Sequence, residues 1–227
     1  MLERRYDIVA SDETILLVIK FKITGNLRFL SHAEMLNLFQ RACARAGISL
    51  RYSHGFNPRP RLSLPLPRTV GVASDDDLLC IKVRTSTKCP DLEQFKTRLS
   101  AQLPAGCQLL TVDLAQPKTS FQPCAAAYVL QVRPELINRK LKSTAKRLLA
   151  SKSLNIQRRI DARGNLRDVD VRPFVKSIEF DDKNIVIESK ITPAGTIRLE
   201  EVLKLLQLDI EALTAPLRRT NVQWKIN

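Results

Sequence analysis

The chain has 227 residues, of which 44% are hydrophobic, a composition that is ordinary for a folded domain and excludes intrinsic disorder. Lys and Arg number 37 against 23 Asp and Glu, and the net charge of +14 leads us to expect an anionic partner, with nucleic acid favoured over a membrane surface. Apolar runs are far shorter than the roughly 20 residues that span a bilayer, and no secretory signal is visible, so we expect a cytoplasmic protein.

The first half of the chain predicts two helices among several strands. Ser31 and Glu34 form an S-x-x-E capping box that starts the first helix, and Gly47 ends it. The second helix has Pro90 at its start. The predicted elements are, in order, a strand at 15–25, the first helix, the proline-rich stretch 51–68, a strand at 77–85, the second helix at 90–103 and a strand at 107–114.

The second half predicts a similar order. A helix begins at Pro134, and a turn is predicted at Arg163-Gly164-Asn165, next to at least one strand. The remaining predicted elements are strands at 126–133, 184–191 and 220–226 and helices at 134–151 and 198–207.

This repeated order predicts an α+β fold made of two ferredoxin-like (βαββαβ) units in tandem. The first unit covers residues 15–116 and the second covers 124–227, after an N-terminal extension of residues 1–14. The duplication is one of pattern, without a residue-by-residue repeat.

Five cysteines are scattered without a CxxC pair, and neither histidine is spaced against a cysteine. We therefore expect reduced thiols, no metal site and no bound cofactor. The chain also lacks the CxxxCxxC cluster that holds the iron–sulfur centre of a radical-SAM enzyme.

Two windows hold the excess positive charge. Residues 20–68 contain nine basic residues and one acidic residue, and residues 133–172 contain twelve basic and four acidic residues. Solvated surfaces usually intersperse both signs, so charge placed in the same part of both halves indicates a binding groove or face. In the second window, one face of the predicted helix carries Arg139, Lys142 and Lys146.

The stretch "RYSHGFNPRPRLSLPLPR" at 51–68 has four prolines and no acidic residue. The prolines exclude a central strand and indicate a stiff, extended edge or loop. Alternation places Leu62, Leu64 and Leu66 on one face and the phosphate-binding candidates Arg59 and Arg61 on the other.

Aromatic residues make up only 5% of the chain, which argues against base stacking as the main mode of recognition. The candidates for base stacking are Phe29, Tyr52 and Phe56, near the first basic window, and for each of them we favour core or turn packing. We therefore expect binding mainly through phosphates, with strong salt dependence and weak sequence specificity.

A helix N-terminus favours anions, so Arg28, Ser31 and His32 form a candidate phosphate site, although His32 also fits a core-capping position. In the proline-rich stretch, His54 and Asn57 lie in a predicted turn.

Near residue 170, Arg167 and Arg172 are further candidate contacts to nucleic acid, with internal ion pairs to Asp168 and Asp170 favoured over a metal pair. The three aspartates at 75–77 are typical of a solvated turn before a strand.

The stretches "RFLSH", "YSHGFNPRP", "DVDVRPFV" and "GTIRLEEVLKLL" resemble the uncharacterised bacterial radical-SAM-linked domain family. The likeness spans nearly the whole chain and implies a separately encoded radical-SAM enzyme as partner. A looser, fold-level likeness is to the CRISPR RNA-processing endonucleases, which also pair two ferredoxin-like units.

The leading hypothesis is an RNA-binding accessory protein that presents RNA, or a ribonucleoprotein, to a radical-SAM enzyme. A second hypothesis is a metal-independent ribonuclease that uses His32 and His54. A third is a protein-only adaptor of the radical-SAM enzyme, with the basic face docked on an acidic surface.

Overall fold

A computed structural model of the chain describes residues 13–85, 90–159 and 164–227. The described residues form an α+β protein whose strands pair mostly antiparallel, with four α-helices among them.

The chain divides into two compact units. Unit 1 comprises the residues up to Arg68 together with Asp77–Ser120, and unit 2 comprises Thr69–Asp76 and Phe121–Asn227. Residues 69–76, which lie inside the predicted first domain, thus group with unit 2. The predicted N-terminal extension lies almost wholly outside the described residues.

The strands of the first half are β1 (Glu13–Ile23), β2 (Leu62–Ser63), β3 (Ala73–Thr85) and β4 (Cys107–Ala115), and its helices are α1 (His32–Arg45) and α2 (Leu92–Ser100). In unit 1 the strand order is β4-β1-β3-β2, with β2 antiparallel to β3 and β4 antiparallel to β1. The predicted capping box is confirmed, because the Ser31 hydroxyl accepts from the Glu34 N–H and the Glu34 carboxylate accepts from the Ser31 N–H.

The core of unit 1 is built from both helices and three strands. Phe21 of β1 packs edge-on against Phe39 of α1, with ring centroids 4.8 Å apart. Ile81 of β3 and Leu99 of α2 are fully buried beside them. Burial of each such side chain stabilises the fold by about 1.5–3 kcal/mol. The exposed loops of unit 1 are therefore attached to a stable, packed core.

The strands of the second half are β5 (Phe121–Gln131), β6 (Asn155–Arg159), β7 (Leu166–Asp170), β8 (Val175–Phe180), β9 (Asn184–Lys190) and β10 (Arg218–Ile226), and its helices are α3 (Arg139–Ala150) and α4 (Leu199–Leu205). In unit 2 the strand order is β10-β5-β9-β8, all antiparallel, with residues 73–74 parallel to the start of β10. A separate antiparallel hairpin, β6–β7, lies between α3 and β8 in the chain.

The start of the first helix of the second half differs from the prediction. Helix α3 begins at Arg139, because Pro134–Leu136 forms a 3₁₀ turn and Asn138 caps the helix by accepting from the Leu141 N–H at 3.0 Å. The predicted turn at Arg163-Gly164-Asn165 falls partly outside the described residues. Among the helices of the described ranges, none has the length and apolarity needed to cross a lipid bilayer.

Candidate functional site

Residues 51–61 form an irregular hairpin, here called the 51–61 hairpin, beside strand β3. The Arg51 N–H donates to the Lys82 carbonyl at 2.8 Å, and the Arg61 N–H donates to the Arg51 carbonyl at 2.7 Å. Nearer the tip, the Ser53 N–H donates to the Arg59 carbonyl, and the Ser53 hydroxyl accepts from the Arg59 N–H. The prolines of the hairpin thus occupy positions that donate no ladder hydrogen bond, as expected for an edge segment.

The tip of the 51–61 hairpin exposes aromatic as well as basic side chains. Phe56 is fully exposed and Tyr52 is 40% exposed, while Phe29, in a 3₁₀ turn of the same unit, is 53% exposed. Our interpretation of these rings as core or turn packing is therefore wrong for Phe56, whereas Phe29 and Tyr52 keep part of their surface covered. The polar candidates His54, Asn57, Arg59 and Arg61 are also exposed.

The leucines after the hairpin anchor it. Leu62 and Leu64 are partly buried against the core of unit 1, and Leu66 lines a small cavity beneath them. Alternation along the extended segment sends Arg59 and Arg61 outward, as the sequence predicts.

Arg68, at the end of the same stretch, has an internal role. Its side chain is only 5% exposed, and its guanidinium donates to the carbonyls of Leu27, Arg28 and Leu30 at 3.3, 2.6 and 3.4 Å. Asp77 lies 3.8 Å away and is also buried. Arg68 therefore ties the "RFLSH" stretch to the proline-rich stretch.

The three aspartates at 75–77 are part of strand β3, so the predicted solvated turn is wrong. Asp75 pairs with Arg218 at 3.3 Å, and the Asp76 carboxylate accepts from the Val222 N–H at 3.1 Å. Their charges are used within the fold, together with that of Asp77. In a sequence, three consecutive acidic residues are typical of a solvated segment. The partners of Asp75 and Asp76 are distant in the chain, so the sequence alone does not reveal the pairing.

The candidate phosphate site at the start of α1 is largely occupied by internal contacts. The Ser31 hydroxyl donates to the Glu34 carboxylate at 2.7 Å, and these hydrogen bonds lower the pKa of Glu34. The Arg28 guanidinium donates to the Gly25 carbonyl and stacks on Phe29, 4.2 Å from the ring centroid.

His32 is partly buried and lines the small cavity that also includes Arg68 and Asp77. Its Nδ1 atom is buried without a hydrogen-bond partner among the described residues. His54 is exposed in the 51–61 hairpin and does not line that cavity. The structure therefore does not bring the two histidines together in one cleft.

Helix α3 presents a continuous basic face. Its buried side chains are Leu141, Thr144, Ala145 and Leu148, and its exposed side chains include Arg139, Lys140, Lys142, Lys146 and Arg147. Across 13–85, 90–159 and 164–227, none of these five cations has an ion pair or a side-chain hydrogen bond. The helix has no acidic residue in its first turn.

The two candidates near residue 170 have different environments. The Arg172 guanidinium donates to the carbonyls of Leu149, Ser151 and Val175, and it thus satisfies carbonyls at the end of α3. Asp170 accepts from the Leu154 and Arg172 N–H groups. Arg167 is exposed on β7.

The predicted ion pairs between these arginines and the aspartates at 168 and 170 are wrong. Within the described part of the chain, neither Asp168 nor Asp170 pairs with Arg167 or Arg172. Asp170 instead accepts from the backbone N–H groups of Leu154 and Arg172.

A buried ion pair that the sequence did not reveal holds the β6–β7 hairpin to α4. The Arg158 guanidinium donates to both carboxylate oxygens of Glu201 at 2.7 and 2.8 Å and to the Thr196 carbonyl. Burial alone would raise the pKa of Glu201, but hydrogen bonds from Arg158 and from the Arg198 N–H outweigh it and hold that pKa below its usual range. No local spacing signals this pair, because 43 positions separate its members.

Three of the described cysteines are buried. Burial raises the pKa values of Cys43 and Cys107 to about 12 and that of Cys80 to about 11, so these thiols stay protonated. Cys89 lies outside the described residues. Among the residues that are described, no group of three or more His, Cys, Asp or Glu side chains has an arrangement that could hold a metal ion.

Comparisons with known proteins give a family. No curated protein sequence matches this chain significantly. Among solved structures, the crystal structure of an unknown protein from Galdieria sulphuraria is similar over 86% of this chain and 91% of its own, with 12% sequence identity and a TM-score of 0.26, too low to support an argument. The model of a family described as "uncharacterized protein conserved in bacteria (DUF2344)" matches residues 17–205, most of the sequence. The chain therefore belongs to this conserved bacterial family.

Proposed function

We propose that the chain is a cytoplasmic RNA-binding accessory protein, which holds RNA mainly through its phosphates and presents it to a separately encoded radical-SAM enzyme. The observation that carries the RNA-binding part is the basic face of α3. Five exposed cations lie along twelve residues of helix, and in the described structure none is neutralised. Such a face matches the repeated negative charge of a nucleic-acid backbone.

The first turn of α3 strengthens this proposal. The N-terminal end of a helix carries partial positive charge and is stabilised by acidic side chains. Here Arg139 and Lys140 occupy that turn without an acid. Residues that break a local stability rule mark functional positions more often than structural ones, and a bound phosphate would relieve the repulsion.

The architecture supports a tandem arrangement of two ferredoxin-like units as part of the proposal. In unit 1 the strands follow the order last, first, third, second, and the four main strands of unit 2 follow the same order. Each unit also has one helix after its first strand and one before its last. The β6–β7 hairpin is then an insertion in the second unit.

Filter binding of RNA across a series of salt concentrations tests the RNA-binding part. The triple variant R139Q/K142Q/K146Q removes three phosphate contacts, so the slope of log affinity against log salt should fall by about 2, at about 0.7 per contact on single strands. A matched control, K118Q/K204Q/K225Q, makes the same change in net charge at scattered exposed positions. Equal behaviour of the two variants, or an affinity that ignores salt, would overturn the proposal.

The radical-SAM partner is tested separately. Affinity purification of the tagged protein after nuclease treatment should lose the enzyme if RNA bridges the two proteins. Retention of the enzyme through nuclease and high salt would favour the protein-only adaptor instead. Incubation of RNA with the purified protein should leave the RNA intact; cleavage that is lost in H32A/H54A would favour the ribonuclease hypothesis.

A further inference from the structure

The 51–61 hairpin has a feature that phosphate binding does not use. Phe56 lies at its tip with the ring fully exposed, although burying such a ring would stabilise the protein. We propose that Phe56 stacks on an unpaired base, so that the hairpin selects single-stranded over double-stranded RNA. This inference rests on the RNA-binding function proposed above and names the class of RNA that is bound.

The hairpin constrains the backbone that carries the ring. Backbone hydrogen bonds close it at two levels, from Arg61 to Arg51 and from Ser53 to Arg59, and the Lys82 N–H donates to the Arg61 carbonyl. Gly55 has a φ of +122°, which a side chain at this position would strain, and Pro58 restricts the other side of the tip. Little backbone freedom is therefore left to lose on binding, which favours affinity.

The surroundings of the ring favour RNA over a protein groove. No acidic residue occurs between positions 51 and 68, and Arg59 and Arg61 are exposed on the same hairpin. In the described residues neither guanidinium has an ion pair or a hydrogen bond. An apolar protein groove would accept the ring but not the cations, and an acidic protein patch would accept the cations but not the ring. A single strand of RNA offers a base face and phosphates side by side.

A duplex would not satisfy this surface, because its base faces are already covered by neighbouring base pairs. The hairpin should therefore discriminate between the two forms, whereas the basic face of α3 should bind both through phosphates.

Equilibrium titration of an unstructured polyuridylate of about 12 nucleotides and a duplex of equal length tests the inference. F56A should lower affinity for the single strand about tenfold, equivalent to about 1.4 kcal/mol, and affinity for the duplex less than about twofold. F56W should bind as the natural protein does, and F56L should bind as weakly as F56A because it keeps apolar bulk but has no ring. The control I210A removes another exposed apolar side chain, which lies between Asp209 and Glu211, and should change neither affinity.

Fluorescence gives a second readout. In an F56W/W224F protein, which moves the chain's one tryptophan to the tip, stacking should quench the emission when polyuridylate is added. Unchanged single-strand affinity in F56A, full binding by F56L, or an emission that polyuridylate does not quench would each overturn the inference. These results would leave the salt-slope test of α3 intact, so the two proposals can fail separately.

Discussion

Two regions of the molecule carry much of its positive charge and use it in opposite ways. On helix α3 the five exposed cations have no internal partner in the described chain. In the proline-rich stretch the charge is divided: Arg59 and Arg61 are exposed, while Arg68 is buried against three carbonyls and Asp77. Net charge alone therefore overstates the cationic surface.

The difference has a physical cause in the backbone near each cation. Inside a regular helix the carbonyls accept from their own helix, so side chains on its exposed face find no backbone partner. Short 3₁₀ turns and helix ends leave carbonyls unpaired, and buried carbonyls need donors. Arg68 binds the carbonyls of such a turn, and Arg172 binds carbonyls at the end of α3. The Arg98 guanidinium donates in the same way to the Ala46 carbonyl at the end of α1. An arginine next to an irregular segment is thus a weaker binding candidate than one on a helix face.

Removal of Arg68 should show this difference most strongly. R68A removes the guanidinium from the buried Asp77 carboxylate and from the part-buried carbonyls of the 3₁₀ turn, so we expect a loss of about 3–5 kcal/mol in the free energy of unfolding. R61A, in the same stretch, removes an exposed arginine and should change stability by less than about 0.5 kcal/mol. Urea unfolding followed by circular dichroism measures both. A stable R68A protein would show that the two arginines do not differ in role.

The contribution of the Arg158–Glu201 ion pair to stability should depend on pH, and a variant of Glu201 tests this. E201Q should cost about 3 kcal/mol at neutral pH, because the Arg158 guanidinium loses the charged half of a bidentate partner whose side chain is only 9% exposed. Urea unfolding at a series of pH values measures the loss. R198Q is a suitable control, because the Arg198 side chain is half exposed and lies 4.0 Å from the Glu201 carboxylate, while the shorter hydrogen bond from its backbone N–H to Glu201 is kept in the variant.

The sign of the pH dependence follows from the direction of the pKa shift. The pKa of Glu201 lies below its usual 4.5 in the folded protein, so the unfolded chain takes up the proton more readily. The stability that Glu201 contributes is therefore complete above about pH 4.5 and declines as the pH falls through the folded-state value. The gap between the natural protein and E201Q should narrow below pH 4.5. A gap that is constant from pH 7 to pH 3 would contradict the lowered pKa.

Local sequence patterns predicted most of the secondary structure, because the interactions that start and end helices and strands join residues that are close in the sequence. The capping box at Ser31 and Glu34 placed the start of α1 correctly, since both partners lie within one turn. The start of α3 that Pro134 predicts is wrong, because proline is compatible with the first turn of a 3₁₀ segment as well as with that of an α-helix. Two strands of the segment between α3 and β8 form a hairpin of their own, which periodicity over five residues cannot distinguish from one strand of the main sheet.

The candidate site was less predictable, since it depends on which side chains find partners far away in the chain. Arg28, Arg68 and Arg172 look like Arg59 and Arg139 in the sequence, and only the fold shows which of them bind carbonyls. The exposed ring of Phe56 was missed because a rare aromatic residue is ordinarily buried. Its setting between Gly55 and Asn57-Pro58, a turn without acidic neighbours, was the available signal of an exposed tip.

The smallest expected effect compares the two ends of the basic helix. R139E/K140E places acids in the first turn of α3, where the helix dipole favours them, and should raise the free energy of unfolding by about 0.3–1 kcal/mol per residue while RNA affinity falls. R147E makes a similar change in the last turn, where the dipole favours cations, and should lower both stability and affinity. Urea unfolding and filter binding on the same preparations measure the two quantities. If the stability changes of the two variants have opposite signs and both variants lose RNA affinity, the first-turn cations lower the stability of the fold and serve a ligand. If R139E/K140E loses stability, these cations stabilise the native protein and are not held for a ligand.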